Sequence, residues 1–287
     1  MQVLPTIADT RAALRELRAQ GKTVGLVPTM GALHEGHLSL VRAAKASCDA
    51  VVVSIFVNPT QFGPNEDFAK YPRTFEADCA ALNKEGVDLV FAPTADEMYV
   101  PGGTTFIEVA GVSNRLDGAS RPGHFRGVAT VVAKLFNIVG PDRAFFGQKD
   151  AAQVAVLKKM VRDLNFPVEL VVCPIVREPD GLAMSSRNRY LSPEQRRQAL
   201  SLHRALEEME RLARSGTTSA DELIAAGLAV LEREPLVRVD YCSIVDPDTL
   251  EDVGDVRRGG LAAIAAFVGT TRLIDNQVLE KPNRDEL

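Results

Sequence analysis

Hydrophobic positions in the first half of the chain follow two alternating patterns, one typical of strands and the other of helices. Residues 50–57 form a continuous, mostly apolar and largely β-branched run, as expected for a parallel strand that is covered on both faces. Leu38, Val41 and Ala44 instead recur at helical spacing. The same reasoning predicts helices at 11–20, 37–47, 74–84, 128–139 and 151–164, and strands at 24–27, 50–57, 87–91, 143–146 and 168–172. This order implies right-handed βαβ crossovers and therefore an α/β fold with a Rossmann-like, doubly wound parallel sheet.

The pattern changes after about Val176. Helix-start signatures at Ser192 and Ser219 open two helices, and residues 237–245 and 261–268 have the pattern of strands in a smaller sheet. We therefore expect two domains, residues 1–176 and a smaller C-terminal α+β domain of residues 177–287. The polar turn at residues 177–181 could act as a hinge between them.

Composition excludes several classes of protein. Hydrophobic residues make up 46% and charged residues 25% of the 287 positions, as in globular proteins. A net charge of −5 and only 6% aromatic residues argue against a nucleic-acid partner. No apolar stretch approaches the ~20 residues that span a bilayer, so we expect no membrane partner. The four cysteines are scattered without a Cys-x-x-Cys pair, and we expect a reducing compartment, the cytoplasm.

The candidate chemistry lies where the predicted parallel strands end, which is where open α/β sheets bind ligands. His34 and His37 follow the first predicted strand and are one helical turn apart at a predicted helix start. Both imidazoles could therefore face one ligand, while helix-start amides point at an anion. Three alternatives remain for this pair. They are ordinary capping or surface histidines, a zinc site that is one residue short of the His-Glu-x-x-His spacing, and a nucleotide triphosphate site.

Five segments together resemble one family. They are residues 28–37, 56–62, 121–127, 146–150 and 184–188, and the first contains the His-x-Gly-His signature of nucleotidylyl transferases. In this order and spacing they are similar to the pantothenate synthetase (pantoate–β-alanine ligase) family over nearly the whole chain. The resemblance implies an ATP-dependent ligase of the coenzyme A pathway. It would join (R)-pantoate to β-alanine through a pantoyl adenylate, with magnesium, and give pantothenate, AMP and pyrophosphate. A homodimer is also implied.

The resemblance implies roles for individual residues. His34, His37 and Lys149 are the catalytic candidates, with imidazole donors at the α-phosphate and a cation at the leaving pyrophosphate. Gln61 and Gln153 are implied for pantoate, and Gln61 also for β-alanine. The ATP site would comprise Met30, Gly31, Ala32, Leu33, His34, Glu35, Gly36, His37, Gly147, Gln148, Lys149, Asp150, Val176, Met184, Ser185, Ser186 and Arg187. No residue is assigned as a metal ligand, and Arg121 and His124 have no assigned contact.

Plainer interpretations stand beside these roles. Lys149 and Arg187 could be surface charges, Ser185 and Ser186 an ordinary turn, and the two glutamines loop or surface residues. Among whole-protein alternatives, a different nucleotidylyl transferase would need extra Lys or Arg for a phosphorylated acceptor, whereas this set offers glutamines. A non-catalytic nucleotide- or RNA-binding module would need a basic face. A dehydrogenase would need a Gly-x-Gly-x-x-Gly fingerprint after the first strand, which is lacking.

Overall fold

The computed structural model describes residues 1–64 and 66–280, and these residues form nine strands and ten α-helices joined by loops and short 3-10 turns. The strands are β1 (Gln2–Leu4), β2 (Val24–Thr29), β3 (Ala50–Ile55), β4 (Leu89–Phe91), β5 (Arg143–Gly147), β6 (Glu169–Cys173), β7 (Val237–Val245), β8 (Gly260–Val268) and β9 (Thr271–Leu279). The helices are α1 (Ile7–Ala19), α2 (Glu35–Ser47), α3 (Phe75–Lys84), α4 (Ala95–Met98), α5 (Asp117–Ser120), α6 (His124–Val139), α7 (Ala151–Asp163), α8 (Pro193–Ala199), α9 (Ser201–Arg214) and α10 (Ala220–Leu231). None of these helices is long and apolar enough to span a membrane.

Six strands form one parallel sheet in the order β1-β4-β3-β2-β5-β6, which confirms the predicted α/β class. The chain moves outward from β2 to β3 and β4, and then crosses back to place β5 on the other side of β2. The strand order therefore reverses between β2 and β5. Loops that follow these two strands meet at this switch point, where doubly wound sheets bind ligands.

Helices cover both faces of the sheet because successive strand side chains point to opposite faces. Leu26 and Phe146 belong to a core that includes buried residues of α1, α6 and α7. Val27 and Phe145, one residue away in each strand, belong to a second core with α2 and α3. The site at the end of the sheet is thus supported from two packed layers.

The C-terminal part of the chain has its own antiparallel sheet, β7-β8-β9, packed on α9 and α10. Its core includes Leu206, Met209 and Ile264. Leu250 and Leu261, however, are buried in the core beside the parallel sheet, so apolar packing joins the two parts. The boundary expected between residues 176 and 177 stays a prediction, and residues 281–287 of the expected C-terminal domain lie outside the described residues.

Several elements differ from the sequence pattern. The helix predicted from Ser192 is divided at Leu200 into α8 and α9, and the short helices α4 and α5 are additional. The short edge strand β1 and the long strand β9 are additional to the predicted strands. Strand β2 continues through Pro28 to Thr29, although proline cannot donate to a ladder. The backbone N–H and C=O groups of the even-numbered residues of β2 point toward β5. Strand β5, however, pairs only with Gly25 and Leu26. The missing N–H of Pro28 therefore costs no hydrogen bond between strands.

Candidate active site

The loop after β2 is held in place by one buried carboxylate. Asp78 on α3 accepts the N–H groups of Ala32 and Leu33 at 2.9 Å each, and the Thr74 hydroxyl donates to it at 3.1 Å. Gly31 and Ala32 have φ angles of 80° and 50°, in the left-handed region that costs an alanine about 1 kcal/mol or more. The two hydrogen bonds to Asp78 offset this cost and fix the path of the chain into His34.

His34 and His37 cap the start of α2 with their own rings. Nδ1 of His34 accepts the N–H of Gly36 at 3.2 Å, and Nδ1 of His37 accepts the N–H of His34 at 3.3 Å. The expectation that helix-start amides point at an anion is therefore wrong for these two amides, which the histidines occupy. A nitrogen that accepts carries no hydrogen, so each neutral imidazole carries its hydrogen on Nε2. Neither Nε2–H group has a hydrogen-bond partner among residues 1–64 and 66–280, so two donors remain for a ligand.

Both imidazoles are neutral at pH 7. Burial lowers the pKa of His34 to about 4, and the nearby Lys149 ammonium contributes in the same direction. Burial also lowers the pKa of His37 to about 3, with a further contribution from the His34 ring, whose centroid lies 4.1 Å away. The capping and phosphate interpretations of the pair are thus compatible, because they use different ring nitrogens.

The zinc alternative finds no additional ligands in the structure. Within residues 1–64 and 66–280, no group of three or more His, Cys, Asp or Glu side chains is arranged to hold a metal ion. In addition, both Nδ1 atoms of the pair are engaged by backbone amides. The geometry therefore favours hydrogen-bond donation over metal ligation.

Gly36 permits the close packing of the His-x-Gly-His turn. A Cβ atom at this position would lie 2.9 Å from Cε1 of the His34 ring, which is closer than real Cβ atoms approach other atoms. The same Cβ would be 3.8 Å from Cβ of Met184. The glycine thus allows His34 to cap the helix. The short distance to Met184 also shows that the first and the last of the sequence segments lie side by side.

The turn after β5 brings Lys149 to the other side of the switch point. Its Nζ lies 3.6 Å from Oδ1 of Asp150, and the lysine side chain is only 20% exposed. Lys149 and Asp150 line a cavity of about 870 Å³ together with Gln153, Ser185 and Arg187. A cavity of this size is in the range of small-molecule sites. The structure therefore brings together five residues that the sequence analysis placed at ATP or pantoate.

Arg187 enters this cavity already paired with a carboxylate. Its Nε and Nη2 each donate to Asp67 at 3.0 Å. Oγ of Ser185 accepts the N–H of Arg187 at 3.3 Å, and the Ser186 hydroxyl lies 3.4 Å from the Tyr71 hydroxyl. An anion that binds Arg187 must therefore compete with Asp67 for the guanidinium group.

Gln61 is oriented by residues for which the sequence analysis assigns no role. Nδ2 of Asn58 donates to Oε1 of Gln61 at 3.1 Å and to the Gly127 carbonyl at 3.2 Å. His124 Nδ1 donates to the Gln61 carbonyl at 2.8 Å, and Arg121 Nη1 donates to His124 Nε2 at 3.0 Å. Burial lowers the pKa of His124 to about 4, with the Arg121 charge adding to the effect. Arg121 and His124 thus hold the backbone at Gln61.

Some predicted ATP residues lie apart from the large cavity. Met30 and Gly31 line a second cavity of about 280 Å³, and Sδ of Met30 is 3.0 Å from Nε2 of Gln61. Glu35 is exposed and forms an ion pair with Arg42, so its side chain lies on the solvent face of α2.

The remaining predicted residues lie in segments that border the crevice. The Val176 carbonyl accepts the N–H of Met184 at 3.0 Å, which pairs the two segments. A Cβ atom at Gly147 would meet nothing within 4 Å, so this glycine borders open space at the end of β5. The side-chain amide of Gln148 donates to Asn276 at 3.0 Å and is directed at β9.

Four residues of the site are missing from the sequence analysis: Asn58, Asp67, Asp78 and Asn276. Asn58 had a signal, because it belongs to the same segment as Gln61. The other three hold motif residues from elements that are distant in the chain, and one sequence contains no pattern that links such pairs. They became visible only after folding brought the partners together.

Comparison with known proteins identifies the family of this chain. Residues 2–278 match the family described as pantoate-beta-alanine ligase. The chain belongs to this family. A pantothenate synthetase of Acidobacterium capsulatum is 67% identical over 290 residues, and the match covers 97% of each chain. A pantothenate synthetase of Thermotoga neapolitana is 57% identical over 279 residues, covering 97% of this chain and 100% of the relative.

Solved structures of family members have the same architecture. The pantothenate synthetase of Thermus thermophilus superposes with a TM-score of 0.93 at 50% identity, covering 98% of this chain and 100% of that chain. The pantoate-beta-alanine ligase of Francisella tularensis, complexed with beta-gamma ATP and beta-alanine, has a TM-score of 0.80 at 34% identity and covers 97% of both chains. As a member of the pantoate–β-alanine ligase family, this enzyme carries out the ATP-dependent ligation of pantoate and β-alanine.

Proposed function

We propose that the crevice between the ends of β2 and β5 forms pantothenate in two steps, through a pantoyl adenylate. In the first step a carboxylate oxygen of (R)-pantoate attacks the α-phosphorus of ATP, and the bond to the bridging oxygen breaks to release pyrophosphate. In the second step the amine of β-alanine attacks the acyl carbon, and AMP leaves with the former carboxylate oxygen. The observation that carries this proposal is the pair of neutral histidines beside Lys149, each with a free Nε2–H donor.

The two imidazoles suit the α-phosphate. Negative charge builds on its non-bridging oxygens as pantoate attacks, and preoriented donors stabilise that charge. Because His34 and His37 are fixed by capping bonds, they need no reorientation during the reaction. A neutral imidazole also has no proton acidic enough to be transferred to the carboxylate of pantoate. The nucleophile therefore stays ionised.

Lys149 and Arg187 suit the departing pyrophosphate. Both line the large cavity, and each offers a positive charge to the β- and γ-phosphates. Arg187 becomes available when the phosphates displace Asp67 from its guanidinium group. Ser185 and Ser186 would supply hydroxyl contacts in the same segment.

The glutamines suit pantoate, whose hydroxyl and carboxylate groups require donors without added charge. Gln153 lines the large cavity, and Gln61 presents an amide whose orientation Asn58 sets. Gln61 would also lie near β-alanine in the second step. The adenosine would lie along Gly147, Asp150, Val176 and Met184, next to the loop of residues 30–33.

Magnesium would enter the site with ATP. Across the part of the chain that the structure describes, no set of three or more candidate ligands forms a metal cage. The site therefore fits an ion that is held mainly by triphosphate oxygens and water. When bound, the ion would neutralise part of the charge on the pyrophosphate.

We further propose that residues 177–287 act as a lid over residues 1–176 and that the ligase is a cytoplasmic homodimer. The exposed side chains of Val100 and Phe106, 70% and 51% accessible, support an interface with a second copy, and Arg126 stacks on the Phe106 ring at 4.1 Å. Four free cysteines without a disulfide support a reducing compartment.

Isotope transfer tests the adenylate directly. Pantoate labelled with ¹⁸O in its carboxylate is incubated with the enzyme, ATP and β-alanine, and the products are analysed by mass spectrometry. One ¹⁸O atom per turnover is expected in AMP, since the carboxylate oxygen stays on the α-phosphorus. Label in pyrophosphate or inorganic phosphate would show attack at a different phosphorus and would contradict the proposal.

A further inference from the structure

Asn276, on β9 of the C-terminal sheet, is bonded to the turn that carries Lys149. The residue is buried, 3% exposed, and its Nδ2 donates to the carbonyls of Gln148 and Lys149 at 3.0 and 2.9 Å. Its Oδ1 accepts the side-chain amide of Gln148 at 3.0 Å. Both donors and the acceptor of the Asn276 amide are therefore used on one turn of the parallel-sheet part.

These bonds fix the backbone at Lys149. The carbonyls of Gln148 and Lys149 precede helix α7, so the regular hydrogen bonding of that helix does not satisfy them. A buried carbonyl without a donor costs about 1–3 kcal/mol, and the turn would shift to find another partner. Since the lysine side chain begins at this backbone, such a shift would move the ammonium group relative to the switch point.

The neighbouring residue ties the same strand to the other side of the cavity. Asp275 is 3% exposed and accepts two hydrogen bonds from Arg177, at 2.7 and 3.1 Å. Nη1 of Arg177 also donates to the Gly181 carbonyl at 3.1 Å. Residues 275 and 276 thus hold both the Lys149 turn and the turn of residues 177–181, which leads into Ser185 and Arg187.

We propose that Asn276 is a positioning residue for Lys149 in adenylate formation. It sets the place of the ammonium group in the crevice through the carbonyls of the turn, and β9 keeps that place in register with the Ser185–Arg187 segment. The inference rests on the proposed role of Lys149 at the triphosphate. A merely structural Asn276 would stabilise the contact between the two parts of the chain and have no specific connection to the lysine.

A double-mutant cycle separates these two roles, with pantoate-dependent exchange of pyrophosphate into ATP as the measurement. The variants are Asn276→Ala, Lys149→Ala and the double variant, in the full-length enzyme. Gln277→Ala is the matched control. It also removes a side-chain amide from β9, but that amide bonds to Glu210 on α9. Asn276→Asp keeps the side-chain volume and the acceptor for Gln148, and it loses the donors, so it gives a second reading if the alanine variant unfolds.

Asn276→Ala and Asn276→Asp should slow exchange about ten- to a hundredfold, the scale of a small misplacement of a catalytic group. Gln277→Ala should exchange at the wild-type rate. Lys149→Ala alone should leave on the order of a hundredth of the wild-type exchange rate, which is still measurable. In this background Asn276→Ala should lower the rate further by less than about twofold. The rate from pantoyl adenylate and β-alanine should not change.

Three results would overturn the inference, and they differ in what else they affect. An Asn276→Ala loss of equal size in both backgrounds, or no loss in the wild-type background, would overturn the positioning role and leave the proposed function intact. Exchange that is unaffected by Lys149→Ala itself would contradict the role of Lys149 in the proposed function, and the inference would fail with it.

Discussion

At the scale of single residues, His34 and His37 divide their two ring nitrogens between folding and chemistry. Nδ1 completes the helix cap, and this bond decides that the hydrogen lies on Nε2. The sequence predicted the pair and its spacing, since both are visible in the His-x-Gly-His string. It could not predict the division, because the choice between capping and phosphate binding depends on which nitrogen meets a backbone amide.

The lowered histidine pKa values predict how stability depends on pH. His34, His37 and His124 have pKa values of about 4, 3 and 4 in the folded enzyme, against about 6.5 in an unfolded chain. Between these values the unfolded chain binds protons that the folded enzyme does not. The free energy of unfolding should therefore be largest above about pH 6.5 and fall as the pH drops toward 4.

Urea unfolding at pH 7 and pH 5 measures this dependence while most carboxylates stay ionised. His37→Asn, whose Oδ1 can accept the His34 N–H in place of Nδ1, serves as the comparison and should lose less stability on acidification. A wild-type midpoint that is equal at both pH values, or higher at pH 5, would contradict the assignment of partly buried, neutral histidines.

Substitution of Gln61 and substitution of Asn58 should both weaken pantoate binding. Gln61→Ala should weaken pantoate binding about ten- to a hundredfold, the scale of one unpaired buried polar group, and leave ATP binding nearly unchanged. Asn58→Ala should reproduce most of this loss, because Asn58 orients the Gln61 amide. Calorimetric titration of each variant with ATP and with pantoate is the measurement. A loss of ATP affinity with pantoate affinity unchanged would reverse the assigned roles.

At the scale of elements, the sequence predicted the succession of strands and helices and hence the switch point between β2 and β5. It was less informative about how elements approach one another. Helix α6 contacts the turn at residues 59–61 so closely that a Cβ at Gly127 would lie 2.4 Å from the Thr60 carbonyl. That approach lets Arg121 and His124 reach Gln61. Nothing in the periodicity of either segment indicates that they meet.

The ion pair between Arg187 and Asp67 predicts how substitution of either residue changes the use of ATP. Arg187→Ala should slow adenylate formation about a hundredfold, because pyrophosphate loses a cation. It should have little effect on the second step, which begins after pyrophosphate has left. Asp67→Asn is the matched control, since it frees Arg187 from its competitor and should lower the KM for ATP.

Steady-state kinetics from ATP and from synthetic pantoyl adenylate distinguish the two steps. If Arg187→Ala is as slow from the adenylate as from ATP, the guanidinium group is not a pyrophosphate ligand. If Asp67→Asn raises the KM for ATP, Asp67 supports nucleotide binding and does not compete with it.

At the scale of the whole molecule, the sequence predicted two parts and a polar turn between them, but it did not predict how firmly they are joined. Arg272 of β9 donates to Asp117 at 2.6 Å and to Asp240 at 2.8 Å, and Leu250 and Leu261 pack into the core beside the parallel sheet. The contact between Arg272 and Asp117 joins residues more than a hundred positions apart, beyond any local pattern. We expect the movement of residues 177–287 over ATP to be largest around Ser185–Arg187 and smallest where Arg272, Leu250 and Leu261 contact the parallel-sheet part.

The most direct test of the account is pyrophosphate exchange into ATP with pantoate present and β-alanine absent, in the wild type and in His37→Ala. Exchange should require pantoate, because pyrophosphate returns to ATP only from the adenylate. The variant should exchange about 10²–10³-fold more slowly, the scale for the loss of one transition-state donor. Its thermal unfolding temperature serves as the control for folding. Exchange that proceeds equally well without pantoate, or a folded His37→Ala variant that exchanges at the wild-type rate, would contradict the account.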